Sequence, residues 1–391
     1  MRVWHFSETA YPFLPDESEY PSIRVTLPNR HYDPRIAAEQ WDRYLAEWQA
    51  ADELGLDVMV NEHHSTATCP DPAGPIVAGV VARLTRRSRI VLLGNPIANR
   101  PDPVRVAEEM ALVDVLSHGR LTVGFVRGVP YEIPATNTMP LRMPERMWEA
   151  HDLIKKAWTT HDGPFNWQGR FFEHRQVNIW PRPYQQPHPP IWVTSSSPGS
   201  AAEVADRDYT LATFLSGLDG TKTIFDAYRA RRSERGAPEP DVDKFAYLAL
   251  VYVGRTDEEG REGARKLMWY ITANKTMPQF AQPPGYLSVA AHVAALRGDR
   301  PLGSVRDLPF EQLIEQGIIF AGNPDTVVGQ VERFAAHVGG LGHLLVMGQA
   351  GFLDHEETLR NLRLLASEVY PRLREHRPAA SAETGWQAGR R

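Results

Sequence analysis

A (β/α)8 TIM barrel with insertions, of the α/β class, is the fold that three features of the chain predict. Eight short apolar runs have strand composition, amphipathic helical runs separate them, and one more helix follows the eighth. Most of the apolar runs are continuous rather than alternating, the pattern of parallel strands buried on both faces. A doubly wound sheet is the competing arrangement. Against it, Ser7-Glu8-Thr9-Ala10 follows the first run where a dinucleotide fold places a glycine-rich turn. The chain has 391 residues. A soft prior of about 150 residues per domain suggests two or three domains, yet barrels with insertions reach this length as one.

The expected strands are 2–6, 57–60, 89–94, 121–125, 191–195, 209–214, 246–253 and 344–347. Trp41, Leu45 and Trp48 share one face of the first helix, which Gly55 stops. Pro103 opens a helix through Val106, Met110 and Val113 to about residue 117. Met147, His151, Ile154 and Trp158 mark another, and a short helix over 200–206 follows Pro198-Gly199. Asn323 is a good N-cap and Pro324 a good first residue for a helix through Val328, Val331 and Phe334. Leu362, Leu365, Val369 and Leu373 stand in register on the last helix. Two stretches break the alternation. Residues 161–189 are rich in Pro, Gln, His and aromatics and read as an ordered surface excursion. Residues 272–317 are long enough to be a lid or binding loop. The expectation is one domain over 1–376 with a flexible tail over 377–391.

Composition excludes several classes. With 42% hydrophobic and 23% charged residues the chain is ordinary globular protein, not a disordered, collagenous or coiled-coil one. A net charge of −5 without a basic block argues against nucleic acid as a partner. No apolar run approaches the ~18 residues of a membrane span. Cys69 is the one cysteine, so an intrachain disulfide and a cysteine-rich zinc site are both excluded. The start, Met1-Arg2-Val3-Trp4-His5-Phe6, lacks the regions of a signal peptide, and a cytoplasmic location is expected.

The chemistry-bearing residues fall just after the strands, where barrel active sites lie. Asn61-Glu62-His63-His64 follows the second strand. A histidine there can exchange a proton near neutral pH; packing or solvation of both imidazoles is the plain alternative. Adjacent residues of an extended strand end point to opposite sides, so the pair is poorly placed for one metal ion, and no metal is expected. Gly124-Phe125-Val126-Arg127-Gly128 ends the fourth strand. Arg127 can project into the mouth and bind phosphate bidentately, or form an ion pair, with Glu62 as the candidate partner. Val193-Thr194-Ser195-Ser196-Ser197-Pro198-Gly199-Ser200 leads into a helix N-terminus, which suits an anion or simply a cap. Asn95, in Leu93-Gly94-Asn95-Pro96, can bond a polar ring edge or form an Asn-Pro turn. Met347-Gly348-Gln349 ends the eighth strand, where the glycine allows close backbone approach. No nucleophile elbow and no Walker loop is present.

Taken together, the chain resembles the bacterial luciferase-like family of flavin-dependent monooxygenases over about residues 1–370. The resemblance rests on Glu62-His63-His64, on 100–109 (Arg-Pro-Asp-Pro-Val-Arg-Val-Ala-Glu-Glu), on 114–120 (Asp-Val-Leu-Ser-His-Gly-Arg), on 124–128 and on 323–327. It implies FMN at the strand C-termini, used as reduced FMN with O2 as co-substrate. It also implies a peroxyflavin route, a separate NAD(P)H-dependent flavin reductase as partner, and a homodimer. By the same resemblance His63 is the catalytic histidine with Glu62 beside it, and Arg127 is the flavin-site arginine. Ser196, with Gly199 or Ser200, matches the phosphate loop, and Ser195 and Ser197 flank it. Val126 stands where the luciferase has a cysteine. Arg146 is the candidate second phosphate arginine, with Arg142 as alternative. Phe6, Tyr131, Trp269 and Met347 are candidate substrate-pocket residues, together with Trp4; each is equally suited to an ordinary core. The preferred expectation is an FMN-dependent monooxygenase acting on a small or medium-sized organic molecule. An F420-dependent hydride-transfer oxidoreductase is the second, and a non-catalytic flavin-binding barrel or partner subunit the third.

Overall fold

The computed structural model describes residues 1–273, 276–287, 289, 293 and 305–375. The 377–391 tail, and parts of the 272–317 excursion, lie outside the described residues. The chain runs through strands β1 (Arg2–Ser7), β2 (Asp57–Val60), β3 (Ile90–Pro96) and β4 (Leu121–Val126), the hairpin β5 (Phe165–Gln168) and β6 (Glu173–Val177), then β7 (Ile191–Thr194), β8 (Thr210–Phe214), β9 (Phe245–Val253), β10 (Ile319–Gly322) and β11 (His343–Gln349). Eight of these close a parallel ring in the order β1-β2-β3-β4-β7-β8-β9-β11, with β11 returning to β1. Phe6 is flanked by Met59 on one side and Met347 on the other, and Leu211 by Phe245 where β8 meets β9. The fold is a TIM barrel, and each expected strand is a strand of the ring.

The continuous apolarity of the strands has a direct cause. Alternate side chains enter two different cores. Trp4, Phe6, Met59, Leu93, Trp192, Leu248, Leu345 and Met347 fill the barrel. Val3, Val58, Val60, Leu92, Val123 and Leu344 face the helices outside it. Neither side meets water, so neither needs a polar residue.

Two features were not anticipated. β5 and β6 form an antiparallel pair off the barrel, inside the 161–189 excursion. Their sequences carry Asn, Gln, Glu, His and Arg because much of the hairpin is exposed, which hides the strand signal. β10 pairs with the last turns of the long β9, from Ile319 against Leu250 to Gly322 against Val253, outside the closed ring.

The helices begin where capping chemistry allows. The Asp33 side chain accepts from Arg35 N ahead of Pro34–Glu53, and Gly55, at φ 81°, turns the chain after it. Asp102 caps Pro103–Leu116, and Asn323 caps Pro324–His337. The short helix starts earlier than the sequence suggests, at Pro198–Ala205, because the Ser197 side chain accepts from Ser200 N. The last helical run, His355–Leu364, passes through a π-type turn at Leu365–Val369 into Tyr370–Glu375. Leu362, Leu365, Val369 and Leu373 are all buried along it. No helix among the described residues is long and apolar enough to cross a membrane.

Candidate active site

A cavity of about 720 Å³ opens at the C-terminal ends of the strands. Its floor is apolar: Phe6, Met59, Leu93, Leu248 and Met347 rise from the barrel interior. The loops above supply polar groups. Glu8 follows β1, Asn61 to His63 follow β2, Val126 ends β4 and Arg127 to Glu132 follow it, and Ser195, Ser196, Ser197 and Ser200 follow β7. Tyr270, Ile271, Thr276, Tyr286 and Arg306 close the far side from the 272–317 excursion and the residues just before it.

His63 is held from one side. Its Nδ1 lies 2.8 Å from Glu132 Oε1 and 3.2 Å from the Tyr131 hydroxyl. Burial works to protonate Glu132, but the hydrogen bond and charge of His63 outweigh it and hold the carboxyl below its usual range. A carboxylate only accepts, so the proton sits on Nδ1. Nε2 has no protein partner among the described residues and is left to the cavity. This is the orientation a general acid or base needs. Glu132 itself is locked by His64 N at 3.0 Å.

Glu62 has a different part. Its Oε2 accepts from Arg100 Nη2 at 2.7 Å and Gly74 N at 3.0 Å, and its Oε1 meets His64 Nε2 at 3.1 Å. The carboxylate is saturated and ties the end of β2 to the next helix. The acid that reaches His63 is Glu132, not Glu62. Glu62 is also not the partner of Arg127, since Arg100 takes that place. Arg127 donates from Nη2 to the Tyr286 hydroxyl at 2.5 Å, with its guanidinium 4.3 Å from the centre of that ring.

At the opposite wall the serines bond one another. Ser195 Oγ and Ser200 Oγ are 2.5 Å apart, and Ser197 Oγ is 2.9 Å from Ser200 Oγ. Ser196 is exposed at the loop tip. Glu203 also lines this end, with its Oε2 accepting from Trp148 Nε1 at 2.8 Å.

The structure therefore brings Glu62, His63, Val126, Arg127, Ser195, Ser196, Ser197, Ser200, Phe6, Tyr131 and Met347 to one cavity. Six other candidates are elsewhere. Arg146 donates from Nε to Ala98 O and lies over the Phe172 ring, away from the cavity. Arg142 is turned to Glu145. Asn95 is wholly buried with its amide unpartnered, and Gly199 is at the exposed helix start. Trp269 packs on Phe352, so the wall residues from that helix are its neighbours Tyr270 and Ile271. Trp4 belongs to the barrel floor, against Trp192.

Sequence reasoning missed Arg24, Glu8, Glu132, Tyr270 and Tyr286. Arg24 lines the cavity from the segment between β1 and the first helix, at 2% exposure. Burial opposes its charge, but the oxygens of Tyr131, Tyr270 and Glu8 outweigh burial and keep it protonated. Burial lifts the phenols of Tyr131 and Tyr270 well above their usual range, so both stay neutral. The one available signal was a charge set between apolar residues, Ile23-Arg24-Val25 and Tyr131-Glu132-Ile133. Among the described residues no three His, Cys, Asp or Glu side chains are placed to hold a metal ion.

The model of the luciferase-like monooxygenase family matches residues 23–340. The chain belongs to that family. This makes the protein an oxygen-using, flavin-dependent oxidoreductase by class. It is 24% identical over 367 residues to 2,5-diketocamphane 1,2-monooxygenase 1 of Pseudomonas putida, covering 87% of this chain and 96% of that one. It is 26% identical over 353 residues to an F420-dependent glucose-6-phosphate dehydrogenase of Amycolatopsis mediterranei, covering 87% and 97%. Among solved structures, the FMN complex of the oxygenating constituent of 3,6-diketocamphane monooxygenase from Pseudomonas putida superimposes with a TM-score of 0.71 at 21% identity, over 95% of this chain and 97% of that one. At that identity the likeness speaks for the fold alone.

Proposed function

We propose that this luciferase-like barrel is the oxygenase component of a two-component FMN monooxygenase. A separate NAD(P)H-dependent flavin reductase would deliver reduced FMN, and a small or medium-sized organic molecule would be oxygenated. The observation that carries the reading is the convergence of His63, Arg127 and the 195–200 serine loop on one cavity with an apolar floor.

The residues present suit FMN. A flat ring needs apolar contact, and Leu93, Val126, Leu248 and Met347 offer it. A phosphate needs donors, and the exposed Ser196 with the N-terminus of Pro198–Ala205 offers them. Arg127 adds a positive charge once Tyr286 releases it. Reduced FMN supplies, when bound, the electrons that activate O2. The chain's own part is to orient, to exclude water and to manage protons. His63 Nε2 gives or takes the proton at the substrate, with Glu132 fixing the tautomer. The described part of the 272–317 excursion covers the mouth through Tyr286, which supports its role as a lid.

A homodimer is part of the proposal. Ile76, Val80 and Leu84 on one helix and Leu112 and Leu116 on its neighbour form an exposed apolar stripe, Ile76 being 70% exposed. A second copy of the chain is the natural cover for it. A cytoplasmic location completes the reading, supported by the single buried cysteine.

Titration of FMN and F420 by fluorescence quenching, followed by turnover under 18O2, tests the proposal. FMN binding with one labelled oxygen in product supports it. Tight F420 binding without FMN makes the protein a hydride-transfer enzyme instead. Flavin binding without label in any product leaves a binding protein or partner subunit.

A further inference from the structure

One wall of the cavity holds a cation that the proposed flavin chemistry does not use. Arg24 is almost wholly buried, yet only two of its five N–H groups are claimed. Nη1 donates to Thr68 Oγ1 at 2.8 Å and Nη2 to the Tyr131 hydroxyl at 2.9 Å. Nε has no partner. Both acceptors are neutral hydroxyls. Among the described residues no carboxylate stands within ion-pair distance of Arg24. Glu8, a carboxylate whose charge acts on it, accepts from Asn61 Nδ2 at 3.2 Å instead. The rings of Tyr131 and Tyr270 lie 5.1 and 5.7 Å from the guanidinium and keep water from it.

A buried guanidinium without a carboxylate is costly to maintain. Elsewhere the chain pairs such groups, as Arg100 with Glu62. Leaving Arg24 unpaired at a cavity wall makes sense if the partner arrives with the ligand. We propose that Arg24 anchors the substrate and that the substrate carries a carboxylate group. The proposal rests on this cavity being the oxygenase site.

Three observations define the ligand. The free Nε–H belongs to a planar fork, which matches a planar carboxylate better than a lone carbonyl. Glu8 adds a negative charge nearby, which disfavours a dianion such as phosphate. Position does the rest. Arg24 is held between Thr68, which follows β2, and Tyr131, which follows β4, and among the described residues it bonds none of the serine loop expected to take the cofactor phosphate. The Tyr131 hydroxyl touches both Arg24 and His63 Nδ1, so a carboxylate held by Arg24 places the rest of its molecule next to the imidazole.

The test is calorimetric titration of octanoate and its neutral analogue octanamide into the full chain, with and without FMN. Arg24→Met and Arg24→Lys are measured beside it. The parent protein should bind octanoate about ten- to a hundredfold more tightly than octanamide, the worth of a charge-assisted hydrogen bond. Arg24→Met should erase that preference, Arg24→Lys should keep part of it, and FMN affinity should be unchanged in both. Equal or undetectable binding of the two probes by the parent overturns the proposal. So does a preference that survives Arg24→Met. Loss of FMN affinity in either variant would assign Arg24 to the cofactor and overturn it as well. Should Arg24→Met fail to fold, the parent and Arg24→Lys decide. A parent that prefers octanoate but binds no FMN keeps the anchor and defeats the flavin reading.

Discussion

The barrel interior holds a histidine at each end, and the two are managed in opposite ways. At the floor, His343 accepts from Trp4 Nε1 on Nδ1 and meets Asp243 O with Nε2, each at 3.2 Å, with Trp192 packed 4.6 Å away. Both nitrogens are committed, and burial pushes its pKa down to about 3. This imidazole is a neutral packing element. At the mouth, His63 spends only Nδ1, on a carboxylate, and its side chain stays 17% exposed. The difference teaches that a partner decides a histidine's job more than its depth does. A neutral partner on each nitrogen makes a strut; a carboxylate on one nitrogen and a cavity on the other leave the imidazole free for the acid–base part proposed for it.

Variants can break that comparison. His63→Ala should lower oxygenation by about 10²- to 10⁴-fold while leaving FMN affinity intact. Turnover and flavin titration measured together check this, and parallel loss of both would move His63 into cofactor binding. His343→Ala should do the reverse. Removing the ring and stranding Trp4 Nε1 should cost about 2–4 kcal/mol of stability with the turnover of the folded fraction retained. Denaturant melts beside activity assays would show it.

Glu132→Gln sharpens the contrast, because an amide no longer dictates which nitrogen of His63 carries the proton. A fall in turnover of about 10- to 100-fold is expected, with substrate and FMN affinity little changed. Stability carries a matching sign. The folded carboxyl of Glu132 is depressed, so its contribution is present above its ordinary value of 4.5 and lost as pH falls through the folded value. The glutamine variant should lack that acid limb in pH-dependent melts.

His5 joins His343 in a second pH effect. His5 is buried outside the ring with both nitrogens unpartnered among the described residues, and burial also takes its pKa to about 3. Both pKa values lie below the unfolded one, so the unfolded chain binds more protons. Stability should be full above about pH 6.5 and fall as pH drops toward 3, with uptake of about two protons on unfolding. Melting temperatures of the parent and His343→Ala across that range would reveal one limb fewer in the variant. The smallest effect belongs to Tyr286→Phe. It keeps the ring over Arg127 and removes the hydroxyl that holds the guanidinium, so FMN should bind about 1 kcal/mol more tightly, read by flavin fluorescence.

Much of this was legible in the residue order, and the exceptions share a cause. The ring strands showed themselves because both of their faces are buried and need apolar side chains. The β5–β6 hairpin did not, because exposed strands such as Glu173–Val177 carry charges. His63, Arg127 and the serine loop were legible because each follows a strand directly. Arg24, Glu132 and Tyr286 were not. Arg24 meets Tyr131 across 107 residues of chain, and Arg127 meets Tyr286 across 159. Arg146 stood near the helix start where an arginine was expected, one position out of register, and its place on the helix turns it toward Ala98 and Phe172.

Residue order alone determined the parallel barrel, the strand ends at which the cavity opens and the imidazole that stands there, because strand burial and strand-end position are local properties of the chain. Closure of the ring decided the rest. It set Glu132 rather than Glu62 on His63, laid Tyr286 over Arg127, and buried Arg24 in the cavity wall with no carboxylate at ion-pair distance among the described residues. Those outcomes depend on which distant loops share one mouth, and that is fixed by packing, since short-range propensity has no term for it.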